Sequence, residues 1–170
     1  TCNFACVYCD GTFSSIWAKF EGKRDKMSND AMGETFEFVK KNIDKLQTVY
    51  MAGGEPFLIK ENLKIIELIK EVNPDLLLRI NTNLSILTPK IYSQLSTMKN
   101  VHWILSAEST NEKFEYIRWP GKYATFKSNL EKIRTLPHKI TFNMTWNVLC
   151  ATNILEFIDD MLDMGFHPNS

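Results

Sequence analysis

The feature that most constrains this chain is an alternation of two patterns. Segments with apolar residues three and four apart take turns with short apolar or β-branched runs. The helical segments carry Met32, Phe36, Val39, Ile43 and Leu46; Leu63, Ile66 and Ile69; Ile91, Leu95 and Met98; Phe126, Leu130 and Ile133; and Ile154, Phe157, Ile158 and Met161. The third has Thr88 at the N-cap position and Pro89 at the first helical position. The fifth opens with Asn153 and has Glu156 three residues on, which resembles a capping box, and it stops at Gly165. Residues 48–52, 76–82, 101–106 and 139–149 read as strands. Strands recur every 25–40 residues or so, about the size of a βαβ unit. That predicts an α/β fold: a parallel sheet with helices on its outer side. The near-continuous apolar run around Leu78 predicts a strand buried on both faces.

Composition narrows the function. A length of 170 residues, with 44% hydrophobic and 24% charged, suits a single globular domain. Twenty Lys+Arg balance twenty Asp+Glu. Residues 1–85 hold 11 basic and 12 acidic residues, and residues 86–170 hold 9 and 8. No half is basic enough to bind a polyanion by bulk charge, so no nucleic-acid partner is expected. No apolar run reaches the roughly 18–20 residues of a membrane span, so no membrane partner is expected either. No basic start leads into an apolar run as a secretory signal would. A cytoplasmic, reducing setting is therefore expected, where four cysteines point to metal or catalysis before disulfides.

The polar residues fall where strands end. Gly53, Gly54, Glu55 and Pro56 follow the first strand, and Asn81, Thr82 and Asn83 end the second. Ser106 and Glu108 follow the third, and Asn143, Thr145 and Asn147 lie along the fourth. Each alone is explained equally well by a turn or a helix cap. Together, on the one edge of a parallel sheet where ligands bind, they favour a single polar site.

Cys2, Cys6 and Cys9 form C-x3-C-x2-C within eight residues. One loop with this spacing can wrap three thiolates around a soft centre, either iron–sulfur or zinc. No histidine lies near, His102 being the first, and Cys150 reads as a small core residue. Three protein ligands would leave the fourth iron of a cube open to a cofactor or substrate. A structural metal-binding domain and an iron–sulfur electron carrier stay open as alternatives.

The triad with Tyr8 before its third cysteine, followed about 45 residues later by Gly-Gly-Glu-Pro at a strand end, resembles the radical S-adenosylmethionine (SAM) enzymes. The resemblance extends over essentially the whole chain, read as a radical SAM core domain over residues 1–170. It implies a partial (β/α)6 TIM-type barrel running from the cluster loop through the fifth helix. The first strand and last unit are expected to lie outside this excerpt of a longer chain, which starts at Thr1 rather than Met. It implies a [4Fe-4S] cluster on Cys2, Cys6 and Cys9, whose open iron takes the amino and carboxylate groups of SAM. Gly53, Gly54, Glu55 and Pro56 resemble the segment that holds the methionine amino group, with Glu55 adding negative charge or ordering the turn. Tyr8 resembles the residue packing by the adenine. Ser106 and Glu108 resemble the pair that meets the ribose or methionine end, with Asn83, Asn147 and Arg118 as further candidates. The implied chemistry is reductive cleavage of SAM to a 5′-deoxyadenosyl radical that takes a hydrogen atom from substrate, with a flavodoxin or ferredoxin as reductant. No catalytic acid–base residue is assigned.

The segment from Ser106 through Arg118 to Gly121 resembles the subgroup with a C-terminal twitch or SPASM domain. Many of its members modify peptides or proteins, which suggests a peptide or protein substrate. Phe114, Tyr116, Trp119 and Tyr123 then either line a substrate entrance or pack in the surface.

Overall fold

The computed structural model describes residues 1–23 and 29–167. Four parallel strands, β1 (Thr48–Met51), β2 (Leu77–Thr82), β3 (Val101–Ser106) and β4 (Lys139–Asn143), pair in sequence order. That singly wound order is the one a barrel requires, and the sheet is open rather than closed. The helices are α1 (Ser15–Phe20), α2 (Asn29–Asn42), α3 (Lys60–Val72), α4 (Pro89–Ser96), α5 (Asn111–Ile117), α6 (Tyr123–Ile133) and α7 (Ile154–Asp163). No helix among the described residues is long and apolar enough to cross a membrane.

The core lies between the sheet and the helices on its outer side. Leu78, Ile80, Trp103 and Leu105 are buried there, against Ile66 and Ile69 of α3, Leu95 of α4, and Phe126 and Leu130 of α6. Phe142 of β4 packs edge-on to Phe157 of α7, ring centroids 5.7 Å apart. Alternation across the pleat sends Leu77, Arg79 and Asn81 to the other face, which the helices do not cover. The expectation that β2 is buried on both faces therefore fails on one.

Local signals are honoured where no tertiary contact competes. Thr88 caps α4 as expected, its hydroxyl accepting from Ile91 N–H. Asn153 precedes α7 but makes no side-chain cap bond. Its Oδ1 accepts from Thr110 N–H at 2.7 Å and its Nδ2 donates to Glu156 at 2.6 Å. The expected capping box is thus spent tying the start of α7 to Thr110, the N-cap of α5. The fourth strand stops at Asn143 rather than 149, and residues 144–149 leave the sheet as a largely exposed loop.

Trp103 is fully buried, its indole N–H donating to His138 Nδ1 at 3.1 Å and its ring 6.1 Å from Phe57. Trp103→Ala should lower unfolding free energy by about 3–5 kcal/mol in chemical denaturation, the usual cost of emptying an aromatic site. A loss under about 1 kcal/mol would place the core elsewhere.

Candidate cofactor site at the C-terminal edge of the sheet

The three cysteines sit on a loop braced from several sides. Phe4, Ala5 and Cys6 are buried, and Cys2 and Cys9 are half-buried. The backbone pairs with the segment that ends α5: Ala5 N–H donates to Trp119 C=O at 2.6 Å and Val7 N–H to Ile117 C=O at 2.9 Å. Phe4 rests against Gly121, where a Cβ would stand only 2.7 Å from the Phe4 ring. From below, α1 donates side chains to the loop's carbonyls. Ser14 Oγ reaches Phe4 O at 2.5 Å, Ser15 Oγ reaches Cys2 O at 2.8 Å, and Trp17 Nε1 reaches Cys6 O at 2.9 Å. These donors add side-chain partners to the carbonyls of an irregular loop, the Cys6 C=O also accepting from Cys9 N–H at 3.0 Å.

Thr1 ties the loop to the glycine turn. Glu55 N–H donates to Thr1 C=O at 2.9 Å. Gly54 has φ +58° and a Cβ there would run into the Thr1 backbone, so the position is closed to other residues on both counts. Asn83 completes the tie, its Nδ2 donating to Asn3 Oδ1 at 3.1 Å and lying 3.9 Å from Cys2 Sγ.

Cys2, Cys6 and Cys9 line one cleft with Phe4, Tyr8, Phe13, Gly54, Asn81, Asn83, Ser106 and Arg118. Tyr8, Gly54, Asn83 and Ser106 are therefore brought together as the sequence suggests. Asn81 joins them, accepting from Ser106 Oγ at 3.0 Å. Its placement follows from pleat parity: with Thr82 turned to the helices, Asn81 must face the other way. Gly53 lines the adjoining groove beside Thr1, and Pro56 is buried at the start of a 3-10 turn, Pro56–Leu58. Asn147 is not in the cleft. Its amide bonds locally to Thr145 C=O, Leu149 N–H and Cys150 N–H. Cys150 is buried in that turn, as its reading as a core residue requires.

Two carboxylates act behind the cleft rather than in it. Glu55 is fully buried and accepts from Thr82 Oγ1 at 2.8 Å, Asn83 N–H at 2.9 Å and Phe57 N–H at 3.3 Å. Of its two suggested roles, this is the ordering one, joining the ends of β1 and β2. Glu108 is also fully buried and chelates the Arg118 guanidinium, through Nε at 3.0 Å and through Nη2. Arg118 is buried, and it lies over the Tyr8 ring, 5.7 Å from its centroid, while the Tyr8 hydroxyl donates to Glu108 at 3.2 Å. Burial works against the charge on Arg118, and the Glu108 carboxylate outweighs it, so the guanidinium pKa is raised. Among the aromatics suggested for an entrance, Phe114 and Tyr123 are core residues with centroids 5.3 Å apart, while Tyr116 and Trp119 are exposed.

All three thiols are free. Burial pushes the Cys6 thiol up to about 11 and raises Cys2 and Cys9. Neutral thiols of this kind give up their protons to a metal centre on binding. Among the described residues no three His, Cys, Asp or Glu side chains gather as ligands of one ion. Three thiols lining one cleft suit a cluster in which each sulfur meets a different iron. A parallel α/β sheet with such a loop at its C-terminal edge defines a class of iron–sulfur protein whose centre faces a ligand cleft.

The family model described as the radical SAM superfamily matches residues 1–149. The chain belongs to the radical SAM superfamily, whose members use a [4Fe-4S] cluster and SAM, and the donor set fits that cluster. It is 36% identical over 87 residues to a GTP 3′,8-cyclase of Campylobacter lari and 35% identical over 83 residues to one of Campylobacter jejuni subsp. doylei. Those matches cover 51% and 48% of this chain but only 25% and 24% of the relatives. Among solved structures, Streptococcus suis SuiB bound to SAM superposes with a TM-score of 0.68 at 14% identity, over 95% of this chain and 34% of that one. The anSMEcpe enzyme with bound AdoMet gives 0.69 at 15%, over 95% and 46%.

Burial pushes the Glu55 carboxyl from its ordinary 4.5 up to about 7, held back by its three donors. Its proton is thus bound more tightly in the folded chain. The resulting stabilisation is complete below pH 4.5 and is lost as pH rises through about 7. Relative to Glu55→Gln, the iron-free parent should lose on the order of 3 kcal/mol between those limits in urea melts. A pH-independent difference would contradict the placement of Glu55.

Proposed function

We propose that this chain is the cofactor-binding core of a radical SAM enzyme that breaks an unactivated C–H bond of its substrate. The observation that carries it is the cleft itself: three free thiols on a braced loop, facing polar groups from the ends of β2 and β3. Cys2, Cys6 and Cys9 would hold the cluster. Gly54, Asn83, Ser106 and Tyr8 would line the SAM site, and Arg118, its charge answered by Glu108, would hold the Tyr8 ring in that lining. When bound, these groups supply one-electron reductive cleavage of SAM and an adenosyl radical. The chain's own work is to orient and to exclude water. The Glu108–Arg118–Tyr8 contacts fix the Tyr8 ring at the cleft, and the Glu55 contacts fix the glycine turn. A flavodoxin or ferredoxin would deliver the electron.

A peptide or protein is the substrate the surroundings favour. Large apolar side chains stand exposed beside the cysteine loop: Phe13, Phe20 and Trp119, with the Phe20 and Trp119 rings 6.2 Å apart. Such a patch suits peptide side chains. Likenesses include SuiB bound to its precursor peptide SuiA, with a TM-score of 0.71. The names of the GTP 3′,8-cyclase relatives favour a second reading, a nucleotide substrate. A closed electron carrier is disfavoured by the absence of a fourth protein ligand at the cleft among the described residues.

Anaerobic reconstitution of the chain with iron and sulfide should give about four irons per chain. With dithionite and SAM it should release 5′-deoxyadenosine and methionine, read by chromatography. Cys6→Ala should abolish cluster and products, and Cys150→Ala should keep both. Loss of the cluster in Cys150→Ala, or a full cluster that leaves SAM intact, would overturn the reading.

A further inference from the structure

The uncovered face of the sheet carries a charge arrangement that the cofactor site does not use. Register places Tyr50, Arg79, His102 and Lys139 side by side, one from each strand. Pleat parity turns all four away from the helices, on the same face as Asn81 and Ser106 of the cleft. Arg79 lies one same-face step below Asn81, roughly 7 Å along the strand. The row spans four strands spaced about 4.8 Å apart. It therefore crosses the floor beneath the cleft.

Two permanent cations and a histidine share this row, and among the described residues no carboxylate pairs with either cation. None of the four strands contains Asp or Glu. The Arg79 guanidinium lies over the Tyr50 ring, 5.3 Å from its centroid, and its Nε is buried with no hydrogen-bond partner. His102 Nε2 is 2.9 Å from Thr141 Oγ1. Burial lowers the His102 pKa first, and Lys139 and Arg79 on either side lower it further. A buried guanidinium N–H without an acceptor is costly, and Arg79 Nε is such a group. One bound oxyanion would relieve that cost and meet the positive charge on both sides of His102.

We propose that Arg79, His102 and Lys139 form an oxyanion subsite on the floor of the reaction chamber, which takes a carboxylate or phosphate group of the substrate. The subsite rests on the proposed radical SAM reading for its meaning and fixes the substrate's polarity: the reacting C–H bond lies up in the cleft and an anionic end points down the sheet. For a peptide the anion is an acidic side chain or C-terminus; for a nucleotide it is phosphate. Arg79 supplies the directed N–H, and Lys139 supplies charge from the edge strand.

The test is an NMR titration of the iron-free full chain, following the Arg79 Nε–H and the His102 ring protons. Sodium phosphate and sodium glutarate are added separately at constant ionic strength, with chloride as control. At least one should give a saturable shift that chloride does not, and whichever binds more tightly identifies the group. Losing a charge-assisted hydrogen bond should weaken binding about tenfold or more in Arg79→Gln. Lys139→Gln, on an exposed edge position, gives the same reading if Arg79→Gln does not fold. No saturable shift with either anion, or parental affinity in both variants, would overturn the subsite. In the cluster-loaded chain both variants should keep the effect of SAM on the cluster's EPR signal. Losing it would assign the row to SAM instead and overturn the proposal. If SAM has no such effect in the parent, the radical SAM reading fails, while the titration of the iron-free chain still decides the subsite.

Discussion

Everything at this site depends on how an irregular loop is held still. Three sulfurs lie within eight residues that belong to no strand, and a cluster tolerates little play among its ligands. The chain holds them with backbone pairing to the Ile117 and Trp119 carbonyls and with the hydroxyl and indole donors of Ser14, Ser15 and Trp17. The Thr1–Glu55 bond adds a third support. Each support comes from a different part of the sequence, so the loop's shape is a property of the assembled fold. That is also why the buried Glu108–Arg118 pair matters. Removing one partner of such a pair leaves a buried charge unanswered, at a cost of about 3–5 kcal/mol. Here the pair also holds the ring of Tyr8, the residue just before Cys9.

The two faces of the sheet divide the labour. The outer face is apolar and sealed by helices, with Leu78, Ile80, Trp103 and Leu105 buried. The other face carries Arg79, Asn81, His102, Ser106 and Lys139 and stays open to ligands. A parallel sheet that shows polar groups on one face contrasts with the doubly covered case, and the contrast is what a chamber needs. Glu55 and Glu108 stand at the rim, each turned inward to bind a neighbour rather than outward to meet a cofactor.

Much of this was legible in the residues, and the remainder has identifiable causes. The alternation predicts the parallel order, because βαβ units admit few other arrangements. Thr88 with Pro89 marks the start of α4 because nothing else competes for the Thr88 hydroxyl. Asn153 misleads because Thr110, forty-three positions earlier, takes its side chain. Residues 144–149 are apolar enough for a strand yet find no partner in the sheet. At six and seven residues, α1 and α5 are too short to show a period, and they are the two elements that brace the cysteine loop. The cysteines, Gly54, Asn83 and Ser106 are legible because turn chemistry and strand ends mark them. The burial of Arg118 is not, because its partner Glu108 lies in a loop whose path only the fold sets.

The central claim is that the protein supplies three sulfur ligands and leaves one iron free for SAM. Mössbauer spectroscopy of the chain reconstituted with iron-57 tests it directly. Adding SAM should raise the isomer shift of one iron site in four and leave the other three unchanged. A spectrum indifferent to SAM, with four equivalent thiolate-bound sites, would contradict the account.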